Sequence, residues 1–220
     1  MNIEINKLRE EIEASLRYLY SYKAYYQALS EQTRVDKINK NVEFWMTFSD
    51  SILSNLFISI RRLYENKRES FNVQRFIEIC YKRHHEFSLH SLQTRKVSSG
   101  ILSIAQAEEY IKGKYEPSKA DFHAMAAYIK TNSKGMRGVY TKVASEVYAH
   151  AIHYNHKSAL LPNQNLNLND IEIALLSVWH VYEQVWQLYE NGRKPVYETG
   201  SSYTRMNEII NGVLAQIDAV

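Results

Sequence analysis

Ile171 to Tyr189 reads IEIALLSVWHVYEQVWQLY. Its apolar positions Ile171, Leu175, Val178, Tyr182, Val185 and Tyr189 alternate in steps of four and three. That period places them on one face of a helix and fits a bundle rather than a strand, whose period would be two. Gly192 and Pro195 supply the stop, because glycine takes a left-handed C-cap and proline cannot continue a helix. Upstream, Asn169 with Glu172 three residues later reads as the cap.

Outward from this segment the same period recurs. Ile5, Leu8, Ile12, Leu16, Leu19 and Tyr26 predict a helix from about Ile5 to Leu29. Tyr18, Tyr20, Tyr22, Tyr25 and Tyr26 read mainly as packing on that helix, since an aromatic stripe at helical spacing is usually core. Val42, Trp45, Ser49, Leu53, Leu56, Ile60 and Leu63 predict a second, most apolar and central helix from about Asn39 to Asn66, and a shorter one runs from about Val73 to His84. Glu86 to Gly100 lacks a period and reads as a loop or short helical pieces. Ser103 with Gln106, and Ser118 with Asp121, are capping-box pairs opening two more helices. The second of these breaks near Ser133 to Gly135 and resumes through MRGVYTKVASEVYAHAI. Ser158 to Asn169, with Pro162 and its asparagines, is a loop, and Met206, Ile209, Ile210, Val213 and Leu214 predict a final amphipathic helix from about Tyr203 to Ile217.

With 7 Gly and 3 Pro in 220 residues there are few breaks, and the composition, 45% hydrophobic and 23% charged, is that of an ordinary globular chain. The fold expected is all-α, a single-domain helical bundle over residues 1–220 with long N-terminal helices and a C-terminal amphipathic helix. Cys80 is the sole cysteine, which excludes an internal disulfide and reads as a buried thiol. The acidic, amphipathic start MNIEINKLREEIEA is no leader, and no apolar run approaches the ~18 residues of a membrane span. A cytoplasmic protein without a membrane partner is expected.

The net charge of +3 is small but unevenly spread. Arg61 to Lys96 holds nine Lys or Arg against four acids, Ile111 to Lys142 seven against two, and Val143 to Val220 four against eight. A basic middle suits phosphate binding, with an ordinary solvated face as the competing reading. No phosphate-cradling glycine loop, paired cysteines or nucleophile elbow is present, which disfavours the common nucleotide and hydrolase folds. His150, His153 and His156 in HAIHYNH invite a metal, but across six residues a helix turns by about 600°, leaving the outer two about 120° apart. No carboxylate lies among them, so neither a metal site nor a cofactor is expected.

The order of these features resembles the HEPN superfamily of higher-eukaryote and prokaryote nucleotide-binding domains, in its abortive-infection U-type branch. The resemblance covers about residues 40 to 190, with accessory helices at 1–31 and 203–218. It is carried by VEFWMTFSDSILSNLFISIRRLYEN, FNVQRFIEIC, the motif segment VASEVYAHAI and the closing IEIALLSVWHVYEQVWQLY. The family motif is an arginine, a polar residue, further residues and a histidine. His150 matches the histidine, and the usual order puts the arginine at Ala144, followed by Ser145 and Glu146, which would orient the catalytic pair. Arg137 and Lys142 lie too far upstream to replace it.

What the resemblance implies is metal-independent RNA cleavage, in which the ribose 2′-hydroxyl attacks the adjacent phosphate. Histidine moves a proton near neutral pH and arginine holds the phosphate through planar donors, whereas Ala144 can do neither. Positions 144 and 150 stand about 9 Å apart and about 120° around an ideal helix, so a compact site calls for two copies of the motif. The family resemblance implies a homodimer that supplies them. It also brings RNA and an antitoxin protein as candidate partners, with Arg61, Arg62, Lys82, Arg83, Arg137 and Lys142 as the candidate RNA-binding residues. Ala144 is either an engineered replacement of arginine or a natural loss, and the intact neighbouring motif favours engineering. The alternative reading is a non-catalytic RNA-binding or protein-interaction bundle, such as a regulatory or antitoxin-like partner. In a third, a purely structural bundle, the alanine-histidine pair is coincidence. Ile152 occupies the place where some relatives carry a modified tyrosine, so control by that modification is not expected.

Overall fold

The computed structural model describes residues 1–65, 71–133, 136–141, 167–197 and 202–220, and the side chains of all of these except 137 and 139. Helices α1 (Asn2–Ala28), α2 (Gln32–Asn39), α3 (Val42–Tyr64) and α4 (Val73–Lys82) lead to a 3-10 turn at His84–Phe87. Then come α5 (Leu89–Ser98), α6 (Ile104–Ile111), α7 (Lys119–Asn132), a π turn at Met136–Tyr140, α8 (Leu168–Asn191) and α9 (Met206–Asp218). No strand occurs among the described residues. The protein is all-α, and no described helix is long and apolar enough to cross a membrane.

Helix α8 is the axis of the core. Ile171, Leu175, Val178, Tyr182, Val185 and Tyr189 are all buried, as their spacing predicts, and Ala174, Ser177, Val181 and Leu188 widen the buried stripe. Helix α1 packs against α3, α8 and α9, and its Ile5, Leu8, Ile12, Leu16 and Leu19 are wholly enclosed. Each such side chain contributes about 1.5–3 kcal/mol through removal from water. Beyond Leu19 the buried face of α1 rotates. Tyr26 is 62% exposed, and Ala24, Tyr25 and Ala28 turn inward instead. The cause is a second cluster in which Tyr25 and Ala28 meet Ile38 of α2, Trp45 of α3 and Ile217 of α9.

The reading of α3 as central holds for its second half alone. Leu56, Phe57, Ile60, Leu63 and Tyr64 are buried, but Val42, Phe44 and Met46 are 44%, 54% and 57% exposed, and in that first half Trp45 is the side chain that turns inward, to the second cluster. Of the two readings open for Glu86 to Gly100, the short helical pieces form: residues 89–98 are a helix whose Ser88 side chain accepts the Ser91 amide. One further departure is local. Helix α8 is capped by Asn167, which accepts the Asn169 amide at 2.9 Å, so the cap lies two residues before the expected Asn169. Both capping-box pairs, Ser103 with Gln106 and Ser118 with Asp121, form as expected.

Candidate functional site

Ala144, Ser145, Glu146, His150 and Lys142 lie outside the described residues, as do His153 and His156. The two flanks of their segment are described, and they meet. After Ser133 ends α7, the π turn buries Met136 and Tyr140 against α3, with the Tyr140 ring stacked on Phe57 at 6.4 Å. The Tyr140 hydroxyl accepts the Asn167 amide at 3.1 Å and reaches the Asn167 carbonyl at 3.2 Å and the Asp170 carboxylate at 3.3 Å. Burial, with the Asp170 charge beside it, pushes this phenol above its ordinary pKa, so it remains protonated and able to donate. One tyrosine therefore joins the residues before and after the motif segment at the first turn of α8. Tyr64 reinforces that corner by donating to the Ala174 carbonyl at 2.9 Å.

The candidate RNA-binding residues separate onto different faces. Arg61 follows Phe57 by one turn of α3, which sets it near the Tyr140 corner, and its guanidinium lies 3.3 Å from Glu65. Arg62 reaches across to Glu11 of α1 at 3.3 Å. Arg83 pairs with Glu4 of α1 at 2.6 Å and with Glu86 of its own turn. Glu4 and Glu11 are two turns apart on one stripe of α1, about 10.5 Å along its axis, so Arg62 and Arg83 are docked on the same helix. The Arg83 hydrogen bond holds the Glu86 carboxyl below the usual carboxylate range, against burial, and Glu86 in turn raises Arg83. Lys82, the neighbour of Arg83, is exposed and lines a groove between α4 and α7. Arg137 belongs to the π turn, but its side chain is outside the described set.

Among the described residues no group of His, Cys, Asp and Glu is arranged to hold a metal ion. Cys80 is fully enclosed, and burial pushes its thiol far up in pKa, which leaves it an inert core side chain.

Two features escaped the sequence reading. Arg95, within the basic stretch, is turned inward: it donates to the Glu86 carbonyl at 2.6 Å and the Tyr189 carbonyl at 2.5 Å, and lies 3.8 Å from the Tyr189 ring centroid. The α4–α7 groove brings Tyr81 and His123 within 4.9 Å, a pairing of residues far apart in sequence that no local pattern announces.

An all-α helical core is the fold the HEPN resemblance implies. The chain belongs to the AbiU2 family of HEPN proteins, an abortive-infection family, whose pattern matches residues 4–206. The match reaches past the expected 40 to 190 to take in nearly all of α1, consistent with that helix being built into the core. No curated protein and no solved structure matches the chain.

Proposed function

We propose that the protein is a metal-independent endoribonuclease of the toxin or phage-defence type, held in an inactive form by Ala144. The observation that carries this reading is the family match, which runs through the motif segment and includes positions 144 and 150. In the active arrangement His150 moves the proton of the ribose 2′-hydroxyl as that oxygen attacks the neighbouring phosphorus. The bond to the 5′-oxygen breaks, leaving a cyclic phosphate and a 5′-hydroxyl. An arginine at position 144 would stabilise the charge gathering on the phosphoryl oxygens, a role that requires bidentate donors and that a methyl group cannot fill. Ser145 and Glu146 orient the pair. The tie made by Tyr140 supports this assignment, since a site shared by two chains needs its motif segment anchored at both ends.

The protein acts in the cytoplasm as a homodimer, with RNA as substrate and an antitoxin protein as its restraint. Ala144 itself favours a second reading, a non-catalytic RNA-binding or protein-interaction bundle such as a regulatory or antitoxin-like partner. Expression of the Ala144→Arg variant separates the two: growth arrest that disappears when His150→Ala is added supports the nuclease, and unimpeded growth supports the binding protein. Solution mass provides the test of the dimer, which requires twice the 25.8 kDa of one chain.

A further inference from the structure

The groove between α4 and α7 has a volume of 1180 Å³ and is open along its length. The two helices run antiparallel across it, because Tyr81 near the end of α4 meets His123 in the first half of α7, while Gln74 and Ser133 line the other end. From His123 to Ser133 the helical rise gives about 15 Å, the run of a few nucleotides. Ala126 and Ala127 form part of its floor, exposed and without bulk beyond Cβ.

Its walls are mainly apolar, from Ile77, Phe122, Ile129 and the two alanines, with aromatic and cationic groups set toward its ends. The Tyr81 ring lies 4.9 Å from His123, tilted by 59°, and Lys119 Nζ stands 5.2 Å over the same ring. Lys82 at one end and Lys130 at the other are exposed and make no ion pair among the described residues. Glu78 is the single carboxylate of the described lining, and it is engaged along its own helix by Gln74 at 3.2 Å and Arg75 at 3.6 Å. The contrast with Arg62 and Arg83 is direct. A phosphate at either of those would have to break ion pairs to Glu11, Glu4 and Glu86, whereas one at Lys82 or Lys130 displaces water and counterions alone.

We infer that the α4–α7 groove is a track for single-stranded RNA, with bases on the Tyr81–His123 end and phosphates on Lys82, Lys119 and Lys130. The inference rests on the nuclease reading above for RNA as the ligand and adds where the strand lies. Stacking platforms flanked by cations bind single strands without needing to read sequence, while a duplex presents its bases edge-on and would leave the rings unused. The groove's far end is Ser133, the cap of α7, which the π turn and then the motif segment follow in the sequence.

The test measures binding of fluorescently labelled oligouridine to the full chain by anisotropy across a salt series. Losing two phosphate contacts removes about 1.4 from the slope of log K against log salt, which at 0.1 M amounts to about 25-fold in affinity. Lys82→Gln with Lys130→Gln should show both changes, and Tyr81→Ala a loss of about tenfold that is insensitive to salt. Lys40→Gln with Lys112→Gln, on other faces, should bind as the parent does. All are compared at equal thermal stability, and the lysine pair, being exposed, keeps the test sound if Tyr81→Ala fails to fold. Parent-like affinity and slope in the lysine pair overturn the track, as does tighter binding of duplex than of single strands. In the Ala144→Arg background the two proposals fail separately. Cleavage that is indifferent to Lys82 and Lys130 removes the track and keeps the nuclease, and lost affinity without cleavage does the reverse.

Discussion

Replacing Arg95 by alanine should destabilise the fold by about 3 kcal/mol. The guanidinium donates to two main-chain carbonyls, that of Glu86 in the 3-10 turn at 2.6 Å and that of Tyr189 near the end of α8 at 2.5 Å, and so fastens α5 to both. Hydrogen bonds from a charged donor contribute ~1.5–3 kcal/mol each, and the contact with the Tyr189 ring at 3.8 Å adds ~0.5–1 kcal/mol. Against this stands the cost of drawing the guanidinium from water, visible as burial lowering its pKa. Arg95→Lys reaches one carbonyl and not both, so it should lose about half as much. Urea unfolding followed by circular dichroism is the assay. With a slope near ~3 kcal/mol per molar, the alanine midpoint should fall by about 1 M. An alanine variant within ~0.5 kcal/mol of the parent, or a lysine variant equal to it, would refute the view that this arginine is a structural clasp.

Other outcomes follow from single contacts. Gly192 ends α8 at φ 57°, and a Cβ there would stand 3.0 Å from both Leu92 and Lys114, so Gly192→Ala should cost more than ~1 kcal/mol in thermal unfolding, whereas Gly212→Ala, inside α9 with open space at its Cβ, should stabilise by ~0.5–1 kcal/mol. Cys80 should resist thiol reagents in the native protein and react as unfolding exposes it; rapid native labelling would contradict its enclosure. Glu86 has a depressed pKa because of Arg83, so its contribution to stability is complete above the unfolded value of ~4.3 and is lost as pH falls through the lower folded value. Glu86→Gln should therefore flatten the acid limb of the stability curve below about pH 4.3, and an unchanged limb would show that the pair carries no linkage.

What was legible in the sequence was what local spacing encodes. The α8 stripe, the α1 stripe up to Leu19 and both capping boxes each depend on residues within a turn or two of one another, and they formed as read. Tyr26 was misplaced because the side that α1 buries after Leu19 is set by α2 and α9, which the α1 sequence does not contain. Helix α5 stayed open between loop and short helical pieces because its support is a Ser88 cap and the inward Arg95, not an apolar face. Asn167 and Asn169 are equally good caps by type, and the tie from Tyr140 to Asn167 selects the first. At the candidate site the motif was readable as residue identities. The ion pairs of Arg62 with Glu11 and Arg83 with Glu4 were not, since their partners come from α1, far upstream. The groove likewise needs α4 and α7 to be paired before Tyr81 and His123 can be seen as neighbours.

The most direct test of the central claim is cleavage of a single-stranded RNA by purified Ala144→Arg protein in the presence of a metal chelator, with the ends of the products identified. The account predicts fragments bearing a cyclic phosphate and a 5′-hydroxyl, produced by Ala144→Arg and absent when His150→Ala is added. Intact RNA with a folded, RNA-binding Ala144→Arg protein, or cleavage that survives His150→Ala, would contradict it.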